Sequence, residues 1–128
     1  MPISKDIFIK KYLKSLENGD AAIFAGAGLS VPSGCVNWKD LLREIAEELQ
    51  LDIDKESDLV TIAQYYYNKN GNNRTILNDI IKNAFQTGKS PNINHSILAS
   101  LPISTYWTTN YDKLIERSLD NKGKIYDT

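Results

Sequence analysis

Apolar residues recur along most of this chain at helical spacing, interrupted by short continuous runs that read as strands. Ile9, Tyr12, Leu13 and Leu16 share one helical face behind Ser4, a residue suited to cap a helix start, and Asn18-Gly19-Asp20 ends the stretch. This first helix is expected to pack on a sheet. Ala22-Ile23-Phe24-Ala25 follows as a buried strand and empties into the small-residue turn Gly26-Ala27-Gly28-Leu29-Ser30. Trp38, Leu41, Leu42, Ile45 and Leu49 form the next apolar stripe, with Arg43, Glu44, Glu47 and Glu48 turned to water, and that helix is expected to cover the sheet.

Leu59, Ile62, Ala63 and Tyr66 predict a third helix, and Ile76, Leu77, Ile80, Ile81 and Ala84 a fourth, divided by the breaker Asn68-Lys69-Asn70-Gly71-Asn72-Asn73. Two consecutive helices between strands are more than a simple crossover needs. The Tyr65-Tyr66-Tyr67 triplet offers rings for stacking, but at helical spacing it reads as core and rim packing. Beyond residue 100, Tyr106-Trp107-Thr108-Thr109 reads as a strand, Lys113 to Leu119 as a helix, and Lys124-Ile125-Tyr126 as the start of a third strand. The alternation predicts an α/β fold: a Rossmann-like parallel sheet with flanking helices. With so few strands to bury both sheet faces, the domain is expected to be incomplete and its exposed edge to favour self-association.

Composition narrows the classes. The chain has 128 residues, 41% hydrophobic and 24% charged, which is enough for a core and argues against disorder. A formal net charge of -1 gives no electrostatic footprint for nucleic acid or an anionic membrane. One cysteine, Cys35, excludes an internal disulfide and a four-thiolate zinc site within this stretch, and it reads as a small filler residue. Residues 1–16 lack the apolar core of a signal peptide, and no run approaches a membrane span, so a cytoplasmic location is expected, without metal or membrane attachment.

The chemistry concentrates in two places. Glycine at 26 and 28 removes the Cβ atoms that would hold a pyrophosphate off the backbone, and the Ser30 hydroxyl can bond a phosphate or ribose oxygen. The run is half of the G-x-G-x-x-G pattern, and Ser30 is equally able to cap the next turn. Tyr106-Trp107-Thr108-Thr109-Asn110-Tyr111-Asp112 is the second place, a strand ending in a polar cluster. Thr108 and Thr109 suit a strand end, with one of them lining a pocket. Asn110 suits a turn of unusual backbone geometry, and Asp112 suits the cap of the helix after it.

Together these motifs resemble the sirtuin (Sir2) superfamily, in which a GAG-x-S loop after the first strand and a T-x-N-x-D turn after a later one close on one NAD molecule. Between them Pro91 to Leu101, with His95, Leu98 and Leu101, looks like the helix leading into the family's second strand. The resemblance runs from about residue 20 to about 117, and it implies that the third and fourth helices are a helical insertion over the nucleotide fold, a small helical module or the base of a lid. Where deacylases carry G-I-P-D-F-R, this chain reads Gly34-Cys35-Val36-Asn37-Trp38-Lys39, and its later turn is Asn-Tyr-Asp instead of Asn-Ile-Asp. Both departures look like the bacterial Sir2-like domains of antiphage defence, which hydrolyse NAD without an acyl-lysine peptide.

The resemblance implies that residues 1–128 are the N-terminal portion of a Sir2-like NAD-binding domain, and that the full-length protein is an NAD hydrolase of bacterial antiphage defence, with NAD as substrate. The alternatives are a module that holds NAD or ADP-ribose without turnover, and a protein deacylase. A defence-system partner protein and a homo-oligomer are expected, and nucleic acid is not. The implied nucleotide contacts are Ala25, Gly26, Ala27, Gly28, Ser30, Thr109, Asn110 and Asp112. Asn110 is the implied catalytic residue, at the nicotinamide ribose or the attacking water, and Asp112 would accept from the carboxamide amine, since an ionised carboxylate only accepts. The family's catalytic histidine follows the N-x-D turn, but residues 113–128 contain none, so His95 is expected to be a packing residue. This stretch alone is therefore expected to be inactive.

Overall fold

A computed structural model describes residues 2–128. Helix α1 spans Lys5–Asn18 and strand β1 Ala22–Ala25, after which two single 3₁₀ turns, Ala27–Leu29 and Val31–Ser33, lead to α2 at Trp38–Glu48. Three helices follow, α3 at Leu59–Lys69, α4 at Thr75–Phe85 and α5 at Ile93–Ser100, and then β2 at Thr105–Thr108 and α6 at Leu114–Asn121.

The helix starts follow capping chemistry. The side chains of Ser4, Asn37, Asp58 and Asn92 each accept a backbone N–H from the first turn of α1, α2, α3 and α5, satisfying donors that the helix itself leaves orphaned. At the far end of α1, Gly19 takes the left-handed conformation at φ 75°, which only glycine adopts without Cβ strain.

β1 and β2 pair in parallel, Ala22 opposite Thr105 through Ala25 opposite Thr108, as the expected α/β arrangement requires. Ile23, Ala25 and Tyr106 face α5 and α6, where they join Ala99, Ile115 and Leu119 in one apolar cluster. On the opposite face the paired Phe24 and Trp107 lie open, 73% and 62% exposed.

Three sequence expectations are corrected. The stripe of α2 does not cover the sheet: Leu42, Ile45 and Ala46 pack with Ile53 and with Ile62 and Tyr66 of α3, flanked by Leu77 and Ile80 of α4. Helix α2 thus belongs to the helical module, because the apolar faces of α3 and α4 match its stripe along its length. Helix α1 does pack on the sheet, but over less of its stripe than expected: Tyr12 and Leu16 cluster with Ile23 of β1 and Tyr106 of β2 beside Ala21 and Ile103, while Ile9 and Leu13 stay exposed. A helix of this length is about 21 Å long and a four-residue strand only about 13 Å, so the sheet reaches just one end of α1. Residues 124–126 form no strand: Ile125 is fully exposed, and the Lys124 ammonium donates to the Leu101 carbonyl.

A further apolar cluster of Cys35, Leu41, Phe85 and Leu114 joins the helical module to α6. Of the tyrosine triplet, Tyr66 is in the core, Tyr67 is half-buried and Tyr65 is exposed, as ordinary core and rim packing requires. No helix among the described residues is long and apolar enough to cross a membrane.

Candidate functional site

Parallel pairing decides where the two motifs meet. Ala25 is the last residue of β1 and Thr108 the last of β2, and they are opposite one another, so the loops that follow leave the sheet at the same edge. In open α/β sheets this carboxyl edge is where ligands bind. A cavity of about 80 Å³ lies there, lined by Ala27 and Ser30 of the first loop and by Thr109, Asn110, Tyr111 and Asp112 of the second. Cys35, Val36, Trp38 and Phe85 complete its wall.

The glycine loop is wound into a 3₁₀ turn by bonds from Leu29 N–H to the Gly26 carbonyl and from Ser30 N–H to the Ala27 carbonyl. Neither Gly26 nor Gly28 has a positive φ, and a Cβ at either would meet nothing within 4 Å. The fold itself therefore does not require glycine at these positions; the open space over the loop is what a side chain would fill. The Asn110 side-chain amide donates to the Gly26 carbonyl at 3.0 Å and ties one loop to the other. Asn110 N–H donates to Thr108 Oγ1, which fixes the backbone where β2 ends.

Beneath the loop, Ser30 and His95 are both buried, 1% exposed each. The Asn92 backbone N–H donates to His95 Nδ1 at 3.2 Å, so Nδ1 is an acceptor and carries no proton. Burial holds the imidazole below the ordinary histidine range, against the opposing pull of the Asp112 carboxylate, which keeps the ring neutral at pH 7. The neutral ring then carries its proton on Nε2 and donates it to Ser30 Oγ at 3.4 Å. This tautomer cannot take a proton from Ser30, so the pair is no activated nucleophile, and the hydroxyl proton of Ser30 is left to donate elsewhere. Asn92 also anchors the glycine loop, donating to the Leu29 carbonyl at 2.8 Å and to Ser33 Oγ at 3.0 Å.

Asp112 is 5% exposed, and its Oδ1 accepts from Leu114 N–H at 3.0 Å, capping the start of α6. The second oxygen takes no hydrogen bond among the described residues. Burial, and after it the Asp112 charge, raise the Cys35 thiol above its ordinary range against the opposing Lys89 charge, so Cys35 stays protonated near neutral pH. Opposite the carboxylate, the Trp38 and Tyr111 rings meet edge to face at 5.2 Å, and Phe85 packs on both, at 6.2 and 5.9 Å.

The chain is similar to proteins named NAD(+) hydrolase ThsA. It is 56% identical over 127 residues to the one from Cytobacillus dafuensis, covering 99% of this chain, and 59% identical over 122 residues to the one from Acinetobacter baumannii (strain 532279), covering 94%. It is also 31% identical over 122 residues to Defense-associated sirtuin 2 of Bacillus subtilis, covering 92% of this chain and 12% of that protein. The chain belongs to the Sir2-like proteins of this group. It spans about a quarter of the length of the two ThsA relatives, 25% of each. No family model matches the chain.

Of the contacts expected for a Sir2-like site, Ala27, Ser30, Thr109, Asn110 and Asp112 line one cavity. Gly26 is held at its rim by Asn110, and Gly28 is exposed in the 3₁₀ turn. The Ala25 side chain points the other way, into the cluster with Ala99, Ile115 and Leu119, so only its backbone is near the site. Sequence reasoning missed Asn92 as the anchor of the loop, and Phe85 and Tyr111 as wall residues. A polar residue directly before a helix signals a cap for Asn92, but nothing local signals its bonds to Leu29 and Ser33. A larger open groove of about 710 Å³ runs between β2 and residues 124–128, but none of Gly26, Ser30, Asn110 or Asp112 lines it. Among the described residues no group of three His, Cys, Asp or Glu could hold a metal ion.

Proposed function

We propose that the full-length protein to which this chain corresponds hydrolyses NAD, releasing nicotinamide, in bacterial antiphage defence. The observation that carries this reading is the convergence of both Sir2-like loops on one cavity, with Asn110, Asp112 and Ser30 on its wall beside a glycine loop open to a ligand. The names of the ThsA relatives, at 52–59% identity, support the same reaction.

Hydrolysis adds a water oxygen to the ribose carbon as the bond to nicotinamide breaks. The bonding pair returns to the ring nitrogen, and the water gives up a proton. The transition state carries positive charge on the ribose, so the enzyme's task is to orient the ribose, hold the leaving amide and place the water. Asn110 lets go of the Gly26 carbonyl and turns its amide to the ribose or the water. The free oxygen of Asp112 accepts from the carboxamide amine. Ser30, with its oxygen occupied by His95, donates its hydroxyl proton to a phosphate or ribose oxygen. The pyrophosphate crosses Gly26 and Gly28, where no Cβ stands in its way, and accepts from the loop N–H groups. His95 does not serve as base, because its free-electron-pair nitrogen is occupied by Asn92.

The exposed Phe24 and Trp107 face and the free edge of β2 support self-association, and a partner protein of the defence system is part of the same proposal. A dinucleotide substrate of the cell interior supports action in the cytoplasm. Calorimetric titration of the full-length protein with ADP-ribose tests the site. Gly28→Val is expected to keep the melting temperature, since its side chain enters open space, and to lose binding. Unchanged affinity would make the loop a structural turn only.

A further inference from the structure

The helical module reaches the cavity through Trp38 at the start of α2 and through the C-terminal end of α4, and what α4 does there is not explained by packing alone. Phe85, the last residue of α4, is 6% exposed and lines the cavity beside Trp38 and Tyr111. Its ring lies 6.2 Å from Trp38 and 5.9 Å from Tyr111, and its carbonyl accepts from the Cys35 thiol at 4.0 Å. The next residue, Gln86, extends its side-chain amide across the surface to donate to the Tyr111 carbonyl at 3.2 Å. Tyr111 is thus held twice from α4, by its ring and by its carbonyl, and it stands between Asn110 and Asp112 in the chain.

Resting on the NAD-hydrolase reading above, we propose that the end of α4 is a clamp on the Asn110-Tyr111-Asp112 turn, with Gln86 a positioning residue for the reaction. The physical argument is geometric. A turn residue has two soft backbone dihedrals, and rotation of the peptide after Tyr111 swings the Asp112 carboxylate, while rotation before it swings Asn110. Fixing the Tyr111 carbonyl direction removes one of these freedoms and fixing its ring removes the other. The two side chains then project into the cavity along set lines. Small displacements of orienting groups are costly in rate, because the reacting geometry tolerates only fractions of an ångström. The Gln86 bond is exposed and contributes little to folding, so its worth is in aim.

The same arrangement couples the helical module to the site. Ile80 of α4 packs against the α2 and α3 core while Phe85 and Gln86 grip the turn five and six residues later, so a displacement of the module along α4 arrives at Asn110 and Asp112.

The test is steady-state nicotinamide release from NAD by the full-length protein, comparing wild type with Gln86→Leu, which keeps the size of the side chain and removes the donor, and with Gln86→Arg, which keeps a donor of similar reach. The clamp requires Gln86→Leu to lower kcat about ten-fold with KM and melting temperature close to wild type, and Gln86→Arg to recover most of the loss. A Gln86→Leu variant with wild-type kcat, or one whose activity falls only as its melting temperature falls, overturns the positioning role. Wild-type protein that releases no nicotinamide overturns the NAD-hydrolase reading itself and the clamp with it, whereas an active wild type with an indifferent Gln86→Leu overturns the clamp alone.

Discussion

The side-chain amide of Asn110 is bonded to the carbonyl of Gly26 at 3.0 Å, although the two residues are 84 positions apart in the chain. This one bond closes the glycine loop onto the turn after β2 and occupies the side-chain amide nitrogen. Its loss in Asn110→Ala costs about 1 kcal/mol, the usual net worth of a neutral hydrogen bond. Asn110→Asp is expected to be worse than alanine, because a carboxylate cannot donate and would face the Gly26 carbonyl with like polarity. Thermal unfolding of both variants checks the order; an aspartate variant as stable as wild type would show that the bond does not form.

Asn92 serves three partners at once. It caps α5 through its oxygen and holds Leu29 and Ser33 through its nitrogen. Asn92→Ala removes a cap, worth about 1 kcal/mol, and orphans the Leu29 carbonyl, so a loss of about 2 kcal/mol is expected. Asn92→Asp keeps the cap and loses the two donated bonds. Chemical denaturation of the three proteins should place Asn92→Asp between wild type and alanine; equal stability of the aspartate variant and wild type would contradict the anchoring of the loop.

The two motif loops, the parallel pairing and the helical module were legible in the sequence because each rests on a local pattern: apolar runs ending in small residues, and stripes at helical spacing. The partners of those stripes were not. Trp38, Leu41 and Leu42 read alike whether α2 lies on a sheet or on α3, since burial is non-directional and the stripe records only that something covers it. Lys124-Ile125-Tyr126 has the composition of a strand, but strand formation depends on a neighbour offering its edge, and context outweighs β-propensity. The cavity wall formed by Phe85 and Tyr111 was invisible for the same reason, as it depends on α4 ending beside the turn.

His95 gives a pH dependence whose sign follows from its burial. Its folded-state pKa lies below the ordinary value of 6.5, so between the two the unfolded chain binds the proton and the folded chain does not. Stability is full above the ordinary histidine range and falls as the pH drops through it. Melting temperatures between pH 7.5 and 5.5 should decline more steeply for wild type than for His95→Gln. Parallel slopes would mean that His95 charges freely in the folded state.

The 128-residue chain by itself should bind nucleotide weakly and turn none over, since it holds Asn110, Asp112 and Ser30 but its one histidine has no nitrogen free to act as base. Incubation of the purified chain with NAD at high protein concentration checks this. Nicotinamide release that Asn110→Ala removes would show that a water held by Asn110 suffices.

The central claim is tested most directly by nicotinamide release from NAD, with no acyl-lysine peptide present, by the full-length protein and its Asn110→Ala variant. The wild type is expected to convert NAD to nicotinamide and ADP-ribose, and the variant, still folded by circular dichroism, to lose at least about a hundred-fold in rate, the scale on which lost orientation is felt. Release that requires an acyl-lysine peptide, or a folded Asn110→Ala protein with most of the wild-type rate, would contradict the account.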